Sequence, residues 1–255
     1  MKALEVYGLT KNFGGISAVE DLSFSLEEFE TLGFIGPNGA GKTTVFNLIS
    51  GITRPDAGKI IFFNQPIVGL PPYRLAHLGL SRTFQNLRLF NSLKVKEQIS
   101  APLLAAKGYG LTSAIFRTGQ FETSEKTAQY KTNILLDFFQ LTDKKEWPAI
   151  SLPYGEQRKL ELARALAMNP RLMLIDEPGA GMNPREIQDL ANTLKKVKEQ
   201  FRLTLIVIEH QMGLIMNISD RVVVMDFGQK IAEGLPAEVR SNRQVIEAYL
   251  GEAAV

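Results

Sequence analysis

The run Gly36-Pro37-Asn38-Gly39-Ala40-Gly41-Lys42-Thr43-Thr44 constrains this chain more than any other stretch. It fits the spacing G-x-x-x-x-G-K-[ST], with Gly36, Gly41, Lys42 and Thr43 in the fixed places. Three glycines and no bulky side chain let backbone N–H groups turn inward around an anion. Lys42 is placed to reach β- and γ-phosphates, and the Thr43 hydroxyl to ligate Mg²⁺. The apolar run Thr31–Ile35 leads in, and the helix-like run Val45–Ser50 leads out. A helix starting near Lys42 points its positive dipole end at the phosphates.

The rest of the chain fits around this strand–loop–helix unit. Residues 1–30 read as short β segments with a turn at Gly14-Gly15. Arg54–Gly58 is a turn, and Lys59–Phe63 is β-like. Residues 71–150 change texture to mostly helical, with a loop-like patch at Gly108–Gly110, and an inserted helical subdomain is expected at 87–150. The α/β pattern then returns. Leu160, Ala163, Leu166 and Ala167 mark a helix. Leu172–Ile175 and Leu203–Ile208 are apolar without alternation, as in parallel strands buried on both faces. Ile187, Leu190, Leu194 and Val197 recur at helical spacing. Val222–Met225, Asp226-Phe-Gly228 and Lys230–Glu233 suggest a hairpin. The expected fold is α/β: a mainly parallel core sheet over 1–86 and 151–255, an N-terminal antiparallel β subdomain and the helical insertion.

Bulk properties exclude several classes. A chain of 255 residues with 45% hydrophobic content can bury a full core. The net charge of +2 gives no polybasic surface, so no nucleic-acid partner is expected. Zero cysteines rule out disulfides and cysteine-based zinc sites. The strand-like alternation from Met1 to Tyr7 is not a signal peptide, and no apolar run reaches the ~18–20 residues of a membrane span. The expected location is therefore cytoplasmic, with any membrane role supplied by a partner.

Leu172–Ile175 ends in Asp176-Glu177. A buried strand delivers Asp176 to Mg²⁺ from its C-terminal end, where open α/β sheets bind ligands. Adjacent strand side chains diverge, so the two acids divide the work: Asp176 for the metal, Glu177 for the attacking water. Taken alone, such a pair also marks a helix N-terminus.

Leu152-Pro153-Tyr154-Gly155-Glu156-Gln157, just ahead of the Leu160–Ala167 helix, resembles the signature motif of ABC-type ATPases. With the phosphate loop and the acid pair, the resemblance covers nearly the whole chain. It implies an ATPase with ATP and Mg²⁺ as cofactors. Phe13 then looks like the aromatic that stacks on adenine. Gln85 looks like the glutamine linking Mg²⁺ and the attacking water to the helical subdomain, and Asp176 would reach the metal through water. Asn183 occupies the place of the family's usual aspartate in the loop at the dimer seam, and His210 looks like the switch histidine that contacts the γ-phosphate. Such domains pair head to tail, so the 152–157 segment would act on the partner's ATP. One position departs from the pattern: the signature serine is Pro153, which has neither hydroxyl nor N–H to donate.

Gly79–Asn91, the Leu-x-Tyr-Gly-Glu-Gln signature, Gly181-Met-Asn-Pro184 and the ending Ile231–Val239…Ile246–Gly251 resemble the ATP-binding subunits of branched-chain amino-acid importers. The stretch at 104–126 fits that subfamily and argues against the shorter lipopolysaccharide-export ATPases. The resemblance implies a second ATPase subunit (identical or paralogous), two transmembrane permease subunits, an indirect substrate-binding protein, and a peripheral place on the cytoplasmic face of the membrane. A soluble, non-transport ABC ATPase is the alternative from another class. Such chains usually carry a coiled coil or tandem domains, and no sustained heptads occur here.

Overall fold

The computed structural model describes residues 1–105 and 119–252, so the expected loop at Gly108–Gly110 and most of 104–126 lie outside the described residues. The chain divides into two compact units, Met1–Gln85 with Arg171–Val255, and Asn86–Pro170.

The first unit is built on a six-stranded sheet in the order β10-β9-β3-β8-β7-β6. Its strands are β3 (Thr31–Ile35), β6 (Leu80–Arg82), β7 (Leu172–Asp176), β8 (Thr204–Ile208), β9 (Arg221–Asp226) and β10 (Gln229–Gly234). All neighbours pair in parallel except the hairpin β9–β10. Every residue of β3, β7 and β8 is buried, which is why these segments show no alternation. β6 escapes a sequence reading because three residues are too few to show a pattern. A second, antiparallel sheet runs β2-β1-β4-β5, from β1 (Lys2–Phe13), β2 (Ile16–Glu27), β4 (Ala57–Phe62) and β5 (Gln65–Pro66). Phe24 of this sheet meets Phe34 of β3 edge to face, 5.0 Å between centroids. The two belong to one apolar core with Leu32, Phe46 and Ile49, in which each such side chain contributes about 1.5–3 kcal/mol.

Helices α1 (Lys42–Ile49) and α2 (Pro72–Leu78) follow the phosphate loop. α6 (Pro184–Phe201), α7 (Met212–Ile218), α8 (Pro236–Ser241) and α9 (Arg243–Glu252) complete the unit. α6 buries Leu190, Ala191, Leu194 and Val197, one face at helical spacing. Among the described residues no helix is long and apolar enough to cross a membrane.

The second unit holds α3 (Val95–Ala105), α4 (Gly119–Phe138) and α5 (Tyr154–Ala167). It extends past the expected boundary at 150, because α5 buries Leu160, Leu162, Ala163 and Leu166 within this helical group. The signature segment therefore belongs to the helical unit and not to the core. Gln98, fully buried, holds the loop ahead of α3. Its Oε1 accepts from the Phe90 N–H at 3.3 Å, and its Nε2 donates to the Phe90 carbonyl at 2.7 Å.

Candidate functional site

Four parallel strands end on the same edge of the core sheet, and each delivers one part of the site. β3 leads into the phosphate loop, β7 ends at Asp176-Glu177, β8 leads to His210, and β6 leads to Gln85. This is the edge where open α/β sheets bind ligands. Its residues are far apart in sequence and become neighbours only through the order β3-β8-β7-β6.

The loop itself is shaped by backbone. Gly36 has φ +148°, and a Cβ there would lie 2.0 Å from the Met225 carbonyl oxygen. Gly41 has φ +95°, and a Cβ there would lie 2.2 Å from the Ala18 carbonyl oxygen. Neither position admits a side chain. The first amide of α1 in the helical ladder is that of Val45, which donates to the Gly41 carbonyl at 3.0 Å. Gly41 caps the helix without a side-chain bond, so the amides before Val45 are those a helix start offers to an anion. Lys42 is 5% exposed, and its Nζ donates to the carbonyls of Gly36 and Pro37, both at 2.7 Å. The ammonium thus lies inside the turn of the loop, while Thr43 is exposed.

Beside the loop lies a side-chain cluster. Glu177 is nearly buried and flanked on both sides. Gln85 Nε2 donates to its Oε2 at 2.8 Å, and His210 Nε2 lies 2.5 Å from its Oε1. Gln85 and His210 are themselves exposed, so the carboxylate is held at the floor of an open edge. Glu177 adopts φ +45°, a left-handed conformation that costs on the order of 1 kcal/mol or more in a non-glycine residue. The three residues expected to supply acid–base, water and switch functions are thus brought together.

Asp176, 2% exposed, forms an ion pair through Oδ2 with Arg82 Nη2 at 3.0 Å. Arg82 Nη1 also donates to Asn47 Oδ1 on α1 at 2.7 Å and to Ser50 Oγ, the C-cap of α1, at 2.9 Å. Burial pushes the Asp176 carboxyl above the usual range, and Arg82 opposes that shift. Removing one member of such a buried pair costs about 3–5 kcal/mol. Asp176 Oδ1 is buried with no hydrogen-bond partner. A buried carboxylate oxygen left in this state fits a cation held through water, so the residues here suit Mg²⁺.

Two contributors escape sequence reasoning. Arg82 reads as an ordinary surface charge. Glu209, buried behind His210, accepts three backbone N–H groups. Its signal was available: like Asp176, it is an acid ending an apolar strand. Asn183, expected at a dimer seam, is the N-cap of α6. Its Oδ1 accepts from the Arg185 and Glu186 amides at 3.0 Å, and Glu186 Oε2 accepts the Asn183 N–H at 2.9 Å. Asn-Pro-Arg-Glu is a readable capping box with proline at the first helical position. Phe13 is 51% exposed at the end of β1, with Lys11 Nζ 5.4 Å from its ring centroid.

In the helical unit, Pro153 is the N-cap of α5 and makes no side-chain bond. Its carbonyl accepts from the Glu156 and Gln157 amides at 2.9 and 3.0 Å. The polar side chains of the segment are engaged inside the unit. Glu156 pairs with Lys144 at 2.6 Å, Gln157 Nε2 donates to the Leu152 carbonyl at 2.8 Å, and Arg158 Nη2 donates to the Tyr154 hydroxyl at 3.0 Å. Ser151 Oγ donates to the Pro148 carbonyl at 2.7 Å.

Comparison with known proteins gives a consistent answer. The ABC transporter family matches residues 19–180, and the family described as branched-chain amino acid ATP-binding cassette transporter matches 229–255. The chain is 41% identical to the high-affinity branched-chain amino acid transport ATP-binding protein BraF of Pseudomonas aeruginosa, over 98% of each chain. It is 39% identical to LivG of Escherichia coli, a protein of the same description, over 98% of each. A crystal structure of an ATP-binding cassette of an ABC transporter, in its ADP conformation, superposes with a TM-score of 0.85 at 30% identity, covering 98% of this chain and 99% of the other.

Proposed function

The chain belongs to the ABC transporter family and is an ATPase, and from that premise we propose that it powers an importer of branched-chain amino acids. The kinship with BraF and LivG over nearly full length supports the cargo class, as does the match of the C-terminal segment. The observation that carries the enzymatic half is the Glu177 carboxylate, held between Gln85 and His210 on the edge that also bears the phosphate loop.

In this reading the amides of the loop and Lys42 bind the β- and γ-phosphates, and Phe13 stacks on the adenine. Thr43, Gln85 and Asp176 would hold Mg²⁺, which would supply charge neutralisation at the phosphates. Glu177 accepts the proton of the attacking water, and Gln85 and His210 keep the carboxylate aimed. His210 also senses the γ-phosphate.

The remaining donors come from a second ATPase subunit, identical or paralogous, paired head to tail. Its signature segment offers the first turn of a helix. Pro153 removes one hydroxyl from that set, so this segment works through backbone N–H groups alone. Closure on ATP and opening after hydrolysis drive two permease subunits, with a substrate-binding protein delivering cargo. The chain itself lies on the cytoplasmic face of the membrane.

Uptake of labelled leucine, isoleucine and valine by cells lacking this chain tests the cargo. The native gene should restore uptake and Glu177→Gln should not. Unchanged uptake of all three in its absence would refute the reading.

A further inference from the structure

Glu209 is 1% exposed, and no step above uses it. Its two oxygens serve two different chain segments. Oε1 accepts the Gly179 N–H at 2.8 Å, while Oε2 accepts the His210 N–H at 2.7 Å and the Gln211 N–H at 3.4 Å. The same segments are joined by Gln211 Nε2, which donates to the Gly179 carbonyl at 3.1 Å, and by the Glu177 N–H, which donates to the Ile208 carbonyl at 2.9 Å. A buried carboxylate is costly unless its acceptors are used, and here both are.

We infer that Glu209 is a positioning residue for hydrolysis: its carboxylate ties the His210 backbone to the turn that follows Glu177, and so fixes the Glu177–His210 contact. The inference rests on the reading of Glu177 and His210 as catalytic. A glutamine at 209 keeps the shape but has a single acceptor oxygen, so its NH₂ would face a backbone N–H on one side. One of the two segments would be released. Among the described residues the Glu209 carboxylate accepts only from Gly179, His210 and Gln211, none of them in the phosphate loop, so nucleotide binding should not change.

The test is MgATP turnover by the full chain, read as phosphate release, for the native protein, Glu209→Gln, His210→Ala and the double variant. Glu209→Gln should lower kcat about tenfold or more, because small displacements of reacting groups are expensive. Its KM for ATP should stay within about twofold, the mark of an interaction outside ground-state binding. In the His210→Ala background the added loss should be under about twofold, since residues acting as one unit are not additive.

Native kcat in Glu209→Gln beside an impaired His210→Ala would overturn the inference and leave the catalytic reading intact. Fully additive losses, or a KM that rises with the fall in kcat, would also overturn it. Native turnover in His210→Ala would sink the catalytic reading, and the inference with it. Should Glu209→Gln not fold, Gly179→Ala presses on the same carboxylate from the other side, because its Cβ would lie 2.5 Å from Oε1. The same fall in kcat at constant KM is expected, and an unchanged kcat would contradict the assignment.

Discussion

The edge of the core sheet and the first turn of α5 present their polar groups by different means. At the sheet edge, the polar groups are side chains, each held by another: Glu177 by Gln85 and His210, Asp176 by Arg82. At the start of α5, the polar side chains are turned to internal partners, and Pro153 supplies no donor. What that segment can offer an anion is backbone. Substitutions at the edge should therefore act on chemistry, and those at the helix start mostly on stability.

The sharpest way to break this contrast is Asp176→Asn. It keeps an acceptor for Arg82 but removes the charge proposed to hold Mg²⁺, and should lower Mg²⁺-dependent turnover on the order of a hundredfold or more. Native turnover measured across a Mg²⁺ titration would contradict the assignment. Lys42→Ala comes next. It deletes the proposed charge-assisted donor to the phosphates and should weaken nucleotide binding about tenfold by equilibrium titration; unchanged affinity would contradict that role.

Two helix starts then sharpen the comparison. Asn183→Ala removes a capping box and should cost about 1 kcal/mol in denaturant unfolding. Pro153→Ser places a favoured cap on an uncapped helix, so stability should stay equal or rise by up to about 1 kcal/mol. Its turnover should stay within about threefold of native, because one added donor to an already satisfied anion is a small term. A much larger gain would mean that the backbone donors alone do not suffice.

How much of this was legible follows from where each part lies in the sequence. The phosphate loop is contiguous, so its spacing alone announces it, and the glycines at 36 and 41 prove necessary for steric reasons. Asp176 and Glu177 were readable because they end an apolar strand. Gln85 and His210 acquire a role only beside Glu177, and strand order is not a local property; resemblance, not periodicity, found them. Arg82 holds another residue, and a single charge carries no spacing signal of its own, whereas Glu209, an acid directly after the apolar strand β8, had the same signal as Asp176. The placement of α5 in the helical unit is not legible in sequence, because its apolar face looks the same whichever core it joins.

Glu177→Gln tests the role of this carboxylate most directly. The full chain carrying it should bind MgATP with near-native affinity, release no phosphate in a single-turnover assay, and accumulate as an ATP-bound dimer by light scattering. Phosphate release at the native rate would contradict the central claim, that the carboxylate gripped by Gln85 and His210 is the one that activates water.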